Sequence, residues 1–466
     1  MNYNQTPEQE EILKRIIASK GAGEIIYVSA VAGSGKSSTL KYIFNSIKPK
    51  KAFYSAYNKG IVSEMDEQTP PNIECKTFHA LGYSVVKPKK VEDFSYLCIE
   101  EDYDYPTKLS IINAVRAFFI SNSTDIEEFL EKLLEDDDLT KVAIKYIDKM
   151  ANGEIPVTFD YLLKHTHLAL KQGLIEIKYD MVAIDEAQDI SAVALEIFKL
   201  IDCDYKIIVG DRLQNCYSQF TSTINAFKNV PKEELLTLTK TFRCDIEIAK
   251  KIEKFGQENL SRDFKFIGTD SAIEDGLTAY ITSTNAEIVL RINELHQEGK
   301  AYTLTRPIPE IFACMLAIVT AATGKQVYQK KYKFLENEYK AFRKTGTRFK
   351  SFQNYLSTEV KDEEIKNSIK VLISFRSKGV NIFDVFATAK KVKASKAITV
   401  GTFFSLKGLA YSDVYIENDL NRAVTTVLEK GEYSERDMVM LRGYYIATSR
   451  TRKRLYNAKH LEPKEK

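Results

Sequence analysis

Short apolar runs alternate with longer amphipathic segments in two parts of this chain. Short apolar runs bounded by polar or turn residues predict buried strands, and their alternation with helices predicts a parallel, doubly wound sheet. In the first part the predicted strand segments are Ile25–Val28, Lys51–Ala56, Ile73–Lys76, Asp180–Asp189, Tyr205–Tyr217 and Leu235–Leu238. In the second part they are Thr278–Thr282 and Ala301–Leu304, and the α/β pattern returns at Ala397–Ile416. The pattern therefore predicts an α/β fold with two strand-rich cores.

Two stretches without comparable strands interrupt these cores. Residues from about 84 to 175 are mainly helical in period, and the strand pattern lapses again from about 325 to 395. Each stretch predicts an inserted helical subdomain. The predicted division is a first core of residues 1–83 and 176–240, an insertion at 84–175, a second core of 241–324 and 396–466, and an insertion at 325–395.

Composition describes an ordinary soluble protein of several structural units. The 466 residues are 44% apolar and 28% charged, and no apolar run approaches the length of a membrane span. The first residues lack the apolar core of a signal peptide, so we expect a cytoplasmic protein without a membrane partner. The six cysteines are scattered without a CxxC pair, which favours reduced thiols over disulfides or a zinc site.

Charge is distributed unevenly along the chain. Residues 91–138 carry fourteen acidic and three basic side chains, so a net charge of +3 leaves about +14 elsewhere. Residues 325–350 carry nine basic and two acidic side chains with aromatic residues between them. Such a mixture suits a nucleic-acid surface, and it equally suits a small helical core with solvated lysines. These aromatic residues are Tyr328, Tyr332, Phe334, Tyr339, Phe342 and Phe349.

The stretch SAVAGSGKSST, at Ser29–Thr39, predicts a phosphate-binding loop. It follows an apolar strand and opens a helix, so free backbone N–H groups and a helix N-terminus converge on one point. Lys36 suits the outer phosphates of a nucleotide, and the Ser37 hydroxyl suits Mg²⁺. The strict pattern requires glycine where this chain has Ala30.

Two carboxylates follow the apolar residues of the predicted strand segment Asp180–Asp189, in DEAQD at residues 185–189. At the end of a strand in a phosphate-loop sheet, Asp185 is placed to hold Mg²⁺ through water, and Glu186 to orient and deprotonate the attacking water. Gln214, after a further strand, is a candidate contact for the γ-phosphate or its attacking water. Upstream, Thr6-Pro7-Glu8-Gln9 predicts a helix start, with Gln9 either completing a capping box or reading an adenine edge.

Taken together, these segments resemble the UvrD/PcrA/Rep group of superfamily 1 DNA helicases. The similarity follows the motif order of that family from Gln9 to Leu455. The segments that carry it are AVAGSGKSS, YNKGIVSEM, TFHAL, DEAQD, GDRLQNCY, TFR, TFFSLKGL and YIATSRT. The family itself has Ala at the position of Ala30. The resemblance implies two RecA-like cores, each with an insertion, and ATP with Mg²⁺ in the cleft between them.

The same resemblance assigns roles to residues at the nucleotide. Gln9 contacts adenine, Ser37 and Asp185 hold the metal, Glu186 acts on water, and Gln214 senses the γ-phosphate. Arg243 and Arg450 present positive charge to the γ-phosphate, and Phe242 packs on the base. The remaining nucleotide-binding positions are Ala32, Gly33, Ser34, Gly35, Lys36, Ser38 and Gly408.

The resemblance also implies a channel for single-stranded DNA. The channel candidates are Asn58, Lys59, Thr77, Phe78, His79, Tyr217, Phe220, Thr305, Arg306, Thr402 and Lys407. Three departures from the family pattern matter. Ala410 replaces a glutamate near the ribose, Phe403 replaces a histidine, and Gln219 stands where a base-stacking aromatic is usual, a role left to Tyr217 or Phe220.

The expected function is therefore an ATP-driven translocase on single-stranded DNA. By family analogy it moves 3′ to 5′ as a monomer, unwinds duplex DNA or remodels junctions and forks, and meets replication or recombination proteins. Two alternatives stay open: an RNA helicase, and an ATP-switched clamp or recruitment factor that does not unwind. A small-molecule kinase explains neither the length nor the paired cores.

Overall fold

The computed structural model describes residues 5–56, 59–95, 98–216, 223–270 and 276–462. The chain divides into two compact units, Met1–Thr239 and Lys240–Lys466. Each unit contains one all-parallel sheet with helices, which confirms the α/β fold with two parallel-sheet cores. The finer division into two cores and two insertions stays a prediction.

The first unit is built on a six-stranded sheet with the order β3-β2-β4-β6-β1-β8. Every residue of β2 and β4 is buried, which explains why these strands read as continuous apolar runs. A separate two-stranded antiparallel sheet pairs β5 with β7. The strands are β1 (Ile25–Ala30), β2 (Ala52–Ala56), β3 (Ile73–Cys75), β4 (Met181–Asp185), β5 (Ile190–Ser191), β6 (Tyr205–Gly210), β7 (Thr223–Ile224) and β8 (Leu235–Leu238).

Helices cover both faces of this sheet and bury two apolar clusters. One cluster joins α1 and α2 to the sheet through residues such as Ile12 and Leu40, and the other packs Phe198 of α9 and Phe53 of β2 together. Thr6 caps α1, as its spacing from Gln9 predicts. The helices are α1 (Pro7–Ala18), α2 (Lys36–Ile47), α3 (Lys59–Asp66), α4 (Phe78–Val86) and α9 (Ala192–Leu200).

Between α4 and β4 the regular structure is mainly helical, as the period predicts. These helices enclose their own core, which includes Phe119, Leu130 and Tyr146. The β-bridges that the described residues of this region form are isolated pairs, Val91 with Val157 and Lys178 with Asp202. The helices are α5 (Tyr105–Ile120), α6 (Ile126–Leu134), α7 (Asp137–Ala151) and α8 (Phe159–Lys171).

The second unit is built on a five-stranded sheet with the order β10-β11-β9-β12-β13. Its strands are β9 (Thr278–Thr282), β10 (Thr303–Leu304), β11 (Ile398–Thr402), β12 (Tyr411–Ile416) and β13 (Thr451–Tyr456), so β10 is shorter than the predicted segment. Its helices are α10 (Ile246–Asn259), α11 (Asn285–Gln297), α12 (Ile308–Ala322), α17 (Asn418–Leu428) and α18 (Glu435–Thr448).

The sequence predicts a long helix from about Ser434 to Arg452, with Arg450, Arg452 and Arg454 as its basic end, and the structure differs at that end. The helix stops at Thr448, and Arg452 and Arg454 lie in β13 instead of forming a basic helix end. Arg454 pairs there with Asp413 of the neighbouring strand β12. The residues after Thr448 therefore pair with β12 as a strand, although their apolar period alone predicts that α18 continues.

Residues 325–395 of the second unit, which begin with the basic stretch 325–350, form four α-helices beside α12. Tyr332, Tyr339, Phe342 and Phe349 pack against the apolar core, whereas Tyr328 is 83% exposed and Phe334 is exposed too. The core interpretation is therefore right for four of the six aromatic residues. The helices are α13 (Leu335–Lys344), α14 (Phe352–Glu359), α15 (Glu363–Ser377) and α16 (Ile382–Ala389). Over the described parts of the chain, no helix combines the length and apolar character needed to span a bilayer.

Candidate active site

The predicted phosphate-binding loop follows β1, an interior strand of the first sheet. Gly33 and Gly35 have φ angles of 73° and 81°, a left-handed conformation that favours glycine. Lys36 then opens α2, so the loop leads into a helix N-terminus. Ala30 is the last residue of β1, where extended backbone makes no demand for glycine. The departure from the strict pattern therefore leaves the loop intact.

Ser37 and Asp185 meet at the carboxyl edge of this sheet. The Ser37 hydroxyl donates to Asp185 Oδ2 over 3.0 Å, and the Tyr54 hydroxyl donates to the same oxygen over 3.2 Å. The backbone N–H of Glu186 donates to Asp185 Oδ1 over 2.8 Å. Burial, followed by the charge of Glu186, raises the pKa of Asp185 above its ordinary value. A hydroxyl and a carboxylate side by side fit the oxygen ligands that Mg²⁺ prefers.

Sequence reasoning missed Tyr54. It lies in the middle of β2, where its ring reads as one more apolar core residue. Only the pairing of β2 with β4 brings its hydroxyl to Asp185. Burial, and then Asp185, raise the pKa of Tyr54 above its ordinary value, so the phenol stays protonated and donates.

Glu186 lies against the lysine of the loop. Glu186 Oε1 is 3.3 Å from Lys36 Nζ, and Gln188 Nε2 donates to Glu186 Oε2 over 2.5 Å. Glu186 adopts a left-handed backbone with a φ of 53°, which is uncommon for a residue other than glycine. The arrangement holds a carboxylate next to the lysine of the predicted phosphate-binding loop, and a carboxylate is chemically able to accept a proton from water.

Gln214 belongs to a neighbouring buried network. Its Nε2 donates to Asp211 Oδ2 over 2.8 Å, and the backbone N–H of Asp211 donates to Gln188 Oε1 over 3.0 Å. The loops after β4 and β6 are therefore joined by side chains. Lys36, Ser37, Asp185, Glu186 and Gln214, all predicted from sequence, thus lie in one region of the first unit.

Gln9 completes the capping box and also reaches the loop helix. Its Oε1 accepts from the backbone N–H of Thr6 over 2.9 Å, and its Nε2 donates to Thr39 Oγ1 over 2.9 Å. The capping interpretation is therefore confirmed. Thr39 lies on α2, so Gln9 stands beside the loop helix, and its contact with adenine stays a prediction.

In the second unit, the two predicted arginines converge on Ser449. Arg243 Nη1 donates to the Ser449 carbonyl over 3.2 Å, and Arg450 Nη2 donates to the Ser449 hydroxyl over 3.1 Å. Arg450 is buried, and its Nε donates to the Ile446 carbonyl over 2.9 Å.

Phe242 is 42% exposed, as a ring that packs on a base requires. Gly408 is exposed with a φ of 91°.

Among the strand-contact candidates of the first unit, Phe78 needs correction. It is 7% exposed and packs edge-on against Phe53 at a ring distance of 5.6 Å, so it is a core residue. Successive helix residues point in directions about 100° apart, and His79 faces outward where Phe78 faces inward. Thr77 caps α4, and Lys59 is exposed on α3.

His79 has a neighbour that sequence reasoning missed. Phe159, the first residue of α8, is 53% exposed, and its ring lies 6.3 Å from the His79 ring. His79 Nε2 is 3.3 Å from Asp160 Oδ1, and Asp160 Oδ2 is 3.8 Å from Arg116 Nε. The period of α8 does not show that its first aromatic side chain stays outside the core.

The candidates of the second unit follow neighbouring parallel strands. Thr305 Oγ1 donates to Ser405 Oγ over 2.6 Å, and Thr402 Oγ1 lies 3.3 Å from the same oxygen. Ser405, which no motif assignment singled out, thus ties two candidates together. Arg306 is exposed and Lys407 is half-buried. Asn58, Tyr217 and Phe220 lie outside the described residues.

Phe403, which replaces the family's histidine, is a core residue. It is buried, and its ring lies 4.0 Å from the ring of Phe404. A Cβ added at Gly443 would lie 2.6 Å from the Phe403 ring, so this glycine leaves room for the ring. The substitution therefore fills space where the family pattern has a polar side chain.

Comparison with known proteins agrees with this geometry. A family model described as "AAA domain" matches residues 10–220. The chain is 28% identical to F-box DNA helicase 1 of Gallus gallus over 278 residues, 52% of this chain and 27% of that protein. It is 26% identical to F-box DNA helicase protein 1 of Schizosaccharomyces pombe over 285 residues, 53% of this chain and 32% of that protein. The chain thus spans about a third or less of the length of these relatives.

Proposed function

We propose that the chain is a superfamily 1 DNA helicase that hydrolyses ATP to move along single-stranded DNA. The similarity to two DNA helicases, the match to the AAA domain model and the two parallel sheets support this proposal. Movement unwinds duplex DNA or remodels forks. The observation that carries the proposal is the meeting of Lys36 and Ser37 with Asp185 and Glu186. A loop that binds phosphate, a metal-binding carboxylate and a base for water are the parts that ATP hydrolysis needs.

Each group at this site has a role in the proposed reaction. Lys36 and the N-terminus of α2 bind the outer phosphates, which are negatively charged. Ser37 and Asp185 hold Mg²⁺, which neutralises charge on the phosphates when bound. Glu186 orients the attacking water and accepts its proton, and Gln214 contacts the γ-phosphate.

Residues of the second unit complete the proposal. We assign Arg243 and Arg450 to charge stabilisation at the γ-phosphate, because guanidinium groups match phosphate oxygens with several donors. Phe242 is assigned to the adenine face, and Gln9 to its edge. Because Ala410 provides no carboxylate for the ribose, the chain should hydrolyse dATP at a rate close to that of ATP.

Exposed cationic and aromatic side chains support the assignment to a single strand. Lysines and arginines meet phosphates, and aromatic rings stack on unpaired bases. In the first unit we assign Lys59, His79 and Phe159 to this contact. In the second unit we assign Arg306 and Lys407, with Thr305 beside them. Movement from 3′ to 5′, action as a monomer and encounters with replication or recombination proteins follow by family analogy.

The test is steady-state hydrolysis of ATP with Mg²⁺, alone and with single-stranded DNA, single-stranded RNA or blunt duplex. The proposal predicts that single-stranded DNA stimulates turnover most. Stimulation by RNA alone would favour an RNA helicase. Hydrolysis that no nucleic acid stimulates would contradict a motor and favour the ATP-switched clamp or recruitment factor.

A further inference from the structure

The side chain of Gln188 lies between two loops that carry the proposed reacting groups. Its Nε2 donates to Glu186 Oε2 over 2.5 Å, and its Oε1 accepts from the backbone N–H of Asp211 over 3.0 Å. Gln188 is fully buried, with 0% of its surface exposed. Both ends of the amide therefore bind fixed partners, one in the loop after β4 and one in the loop after β6.

The hydrogen bonds continue from Asp211 to the proposed γ-phosphate sensor. Asp211 Oδ2 accepts from Gln214 Nε2 over 2.8 Å, and Asp211 Oδ1 accepts from the backbone N–H of Leu213 over 3.1 Å. The backbone carbonyl of Gln188 also accepts a hydrogen bond from the side-chain amide of Asn215. Glu186 and Gln214 are thus joined by a chain of hydrogen bonds that passes through Gln188.

Gly210, the last residue of β6, keeps the space that Gln188 occupies. A Cβ at this position would lie 2.5 Å from Gln188 Oε1 and 2.9 Å from the backbone nitrogen of Ala187. Contacts this short force something to move. The fold therefore reserves room for the Gln188 amide at the edge of the sheet.

We propose that Gln188 is a positioning residue that fixes the orientation of the Glu186 carboxylate and couples it to Gln214. Lys36 Nζ contacts Oε1 of that carboxylate, and Gln188 Nε2 donates a hydrogen bond to Oε2. Rotation about the Cγ–Cδ bond of Glu186 is therefore restricted. A water molecule that attacks the γ-phosphate then meets the Glu186 carboxylate, its proton acceptor, in one fixed orientation. A shift of Gln214 on phosphate contact reaches Glu186 through Asp211 and Gln188. The inference deepens the proposed function and rests on it.

The nature of the amide matters in this position. It donates to a carboxylate with one end and accepts from a backbone N–H with the other, and it carries no charge of its own. A carboxyl group of the same size keeps the acceptor for Asp211. When ionised, it places a like charge against Glu186 and offers that carboxylate no donor. If Gln188 only filled space, Gln188→Glu would leave kcat unchanged. If Gln188 positions Glu186, the same substitution lowers kcat.

The test measures ATP hydrolysis by the full chain for Gln188→Ala and Gln188→Glu. The positioning role predicts that kcat falls about 10- to 100-fold in both, while KM for ATP stays within about twofold. Asn225→Ala is the matched control, because Asn225 also bridges backbone groups, at Arg212 and Phe227, without contacting Glu186. Gly210→Ala, which displaces Gln188, should reproduce the loss of kcat.

Coupling to Gln214 is tested with the double variant. If Gln188 connects Glu186 to Gln214, the Gln188→Ala and Gln214→Ala effects on kcat are not additive, and the double variant resembles the worse single variant. Multiplying effects, or a Gln188→Glu enzyme with the kcat of the original chain, would overturn the inference while the ATPase stands. A chain without any ATP hydrolysis would overturn the proposed function itself. Binding of a fluorescent ATP analogue shows that each variant is folded.

Discussion

The hydroxyl of Ser37 donates a hydrogen bond to Asp185 over 3.0 Å, although 148 positions separate these residues in the sequence. The all-parallel sheet brings them together, because β1 and β4 end at the same edge. Lys36 and Glu186, their chain neighbours, form an ion pair at 3.3 Å beside them. Two short motifs thus become one site only through strand order.

Removing the lysine of the loop should abolish hydrolysis without unfolding the chain. Lys36→Ala loses the cation that stabilises charge on the outer phosphates, so kcat should fall by at least about 100-fold. Lys41→Ala is the control, since Lys41 lies on the same helix and pairs with Gln68 at the surface. A phosphate-release assay decides, and turnover above a tenth of the original would contradict the assignment.

The arginines that meet at Ser449 should be needed for hydrolysis. Arg243→Ala removes a proposed γ-phosphate contact, and loss of such an arginine lowers kcat by about 1000-fold or more. Arg422→Ala, at an exposed arginine that pairs with Glu287, should change kcat little. Single-turnover hydrolysis separates this effect from nucleotide binding. Equal rates for the two variants would argue against the role of Arg243.

Phe159 should contribute to the affinity for single-stranded DNA. Stacking of one base on an aromatic ring contributes about 1–3 kcal/mol, so Phe159→Ala should raise Kd about 5- to 100-fold. Phe383→Ala is the matched control, because Phe383 is an exposed phenylalanine of the second unit. Fluorescence anisotropy with a labelled oligonucleotide measures both. An unchanged Kd for Phe159→Ala would place this ring outside the strand channel.

Lys164 should make stability depend on pH above neutrality. Its Nζ donates to the Ser121 carbonyl over 3.1 Å and lies 4.0 Å from the centre of the Phe118 ring. Burial lowers the pKa of Lys164 to about 7, against about 10.4 in an unfolded chain. Between these values the unfolded state binds more protons, so this group makes stability rise with pH by up to about 1.4 kcal/mol per unit.

Lys164→Met should remove that slope. Urea unfolding at about pH 6.5, 7.5 and 8.5 gives the free energy of unfolding of the original chain and of the variant. Contributions from titrating groups that both chains share cancel in the difference between the two values. The difference should be constant below about pH 7 and should shift toward the original chain above it. Lys171→Met, at an exposed lysine of the same helix, should show no such trend. A difference that is independent of pH would contradict the shifted pKa.

Much of the proposed nucleotide site could be predicted from sequence because its parts are local. The loop at Gly33–Ser37 and the pair Asp185–Glu186 each follow an apolar strand, and strand ends in a parallel sheet share one edge. Tyr54 could not be predicted, because inside a buried strand its hydroxyl carries no signal. Gln188 stands in the DEAQD motif, but its role depends on a partner in another loop.

The proposed contacts with a single strand were harder to predict for a geometric reason. A motif such as TFHAL marks a segment, whereas burial is decided for each side chain, so Phe78 proved to be core and His79 half-exposed. Phe159 became a candidate only when α8 was packed beside α4. Likewise, Arg452 and Arg454 belong to a strand because β13 pairs with β12, and helical period does not reveal that pairing.

Strand displacement tests the central claim most directly. Duplexes with a single-stranded 3′ tail, a 5′ tail or blunt ends are mixed with the chain, ATP and Mg²⁺, and release of a labelled strand is followed over time, with Lys36→Ala as the control. The proposal predicts release from the 3′-tailed duplex, little from the others, and none by Lys36→Ala. Release from the 5′-tailed duplex alone would contradict the direction. An ATPase that single-stranded DNA stimulates but that releases no strand would contradict unwinding.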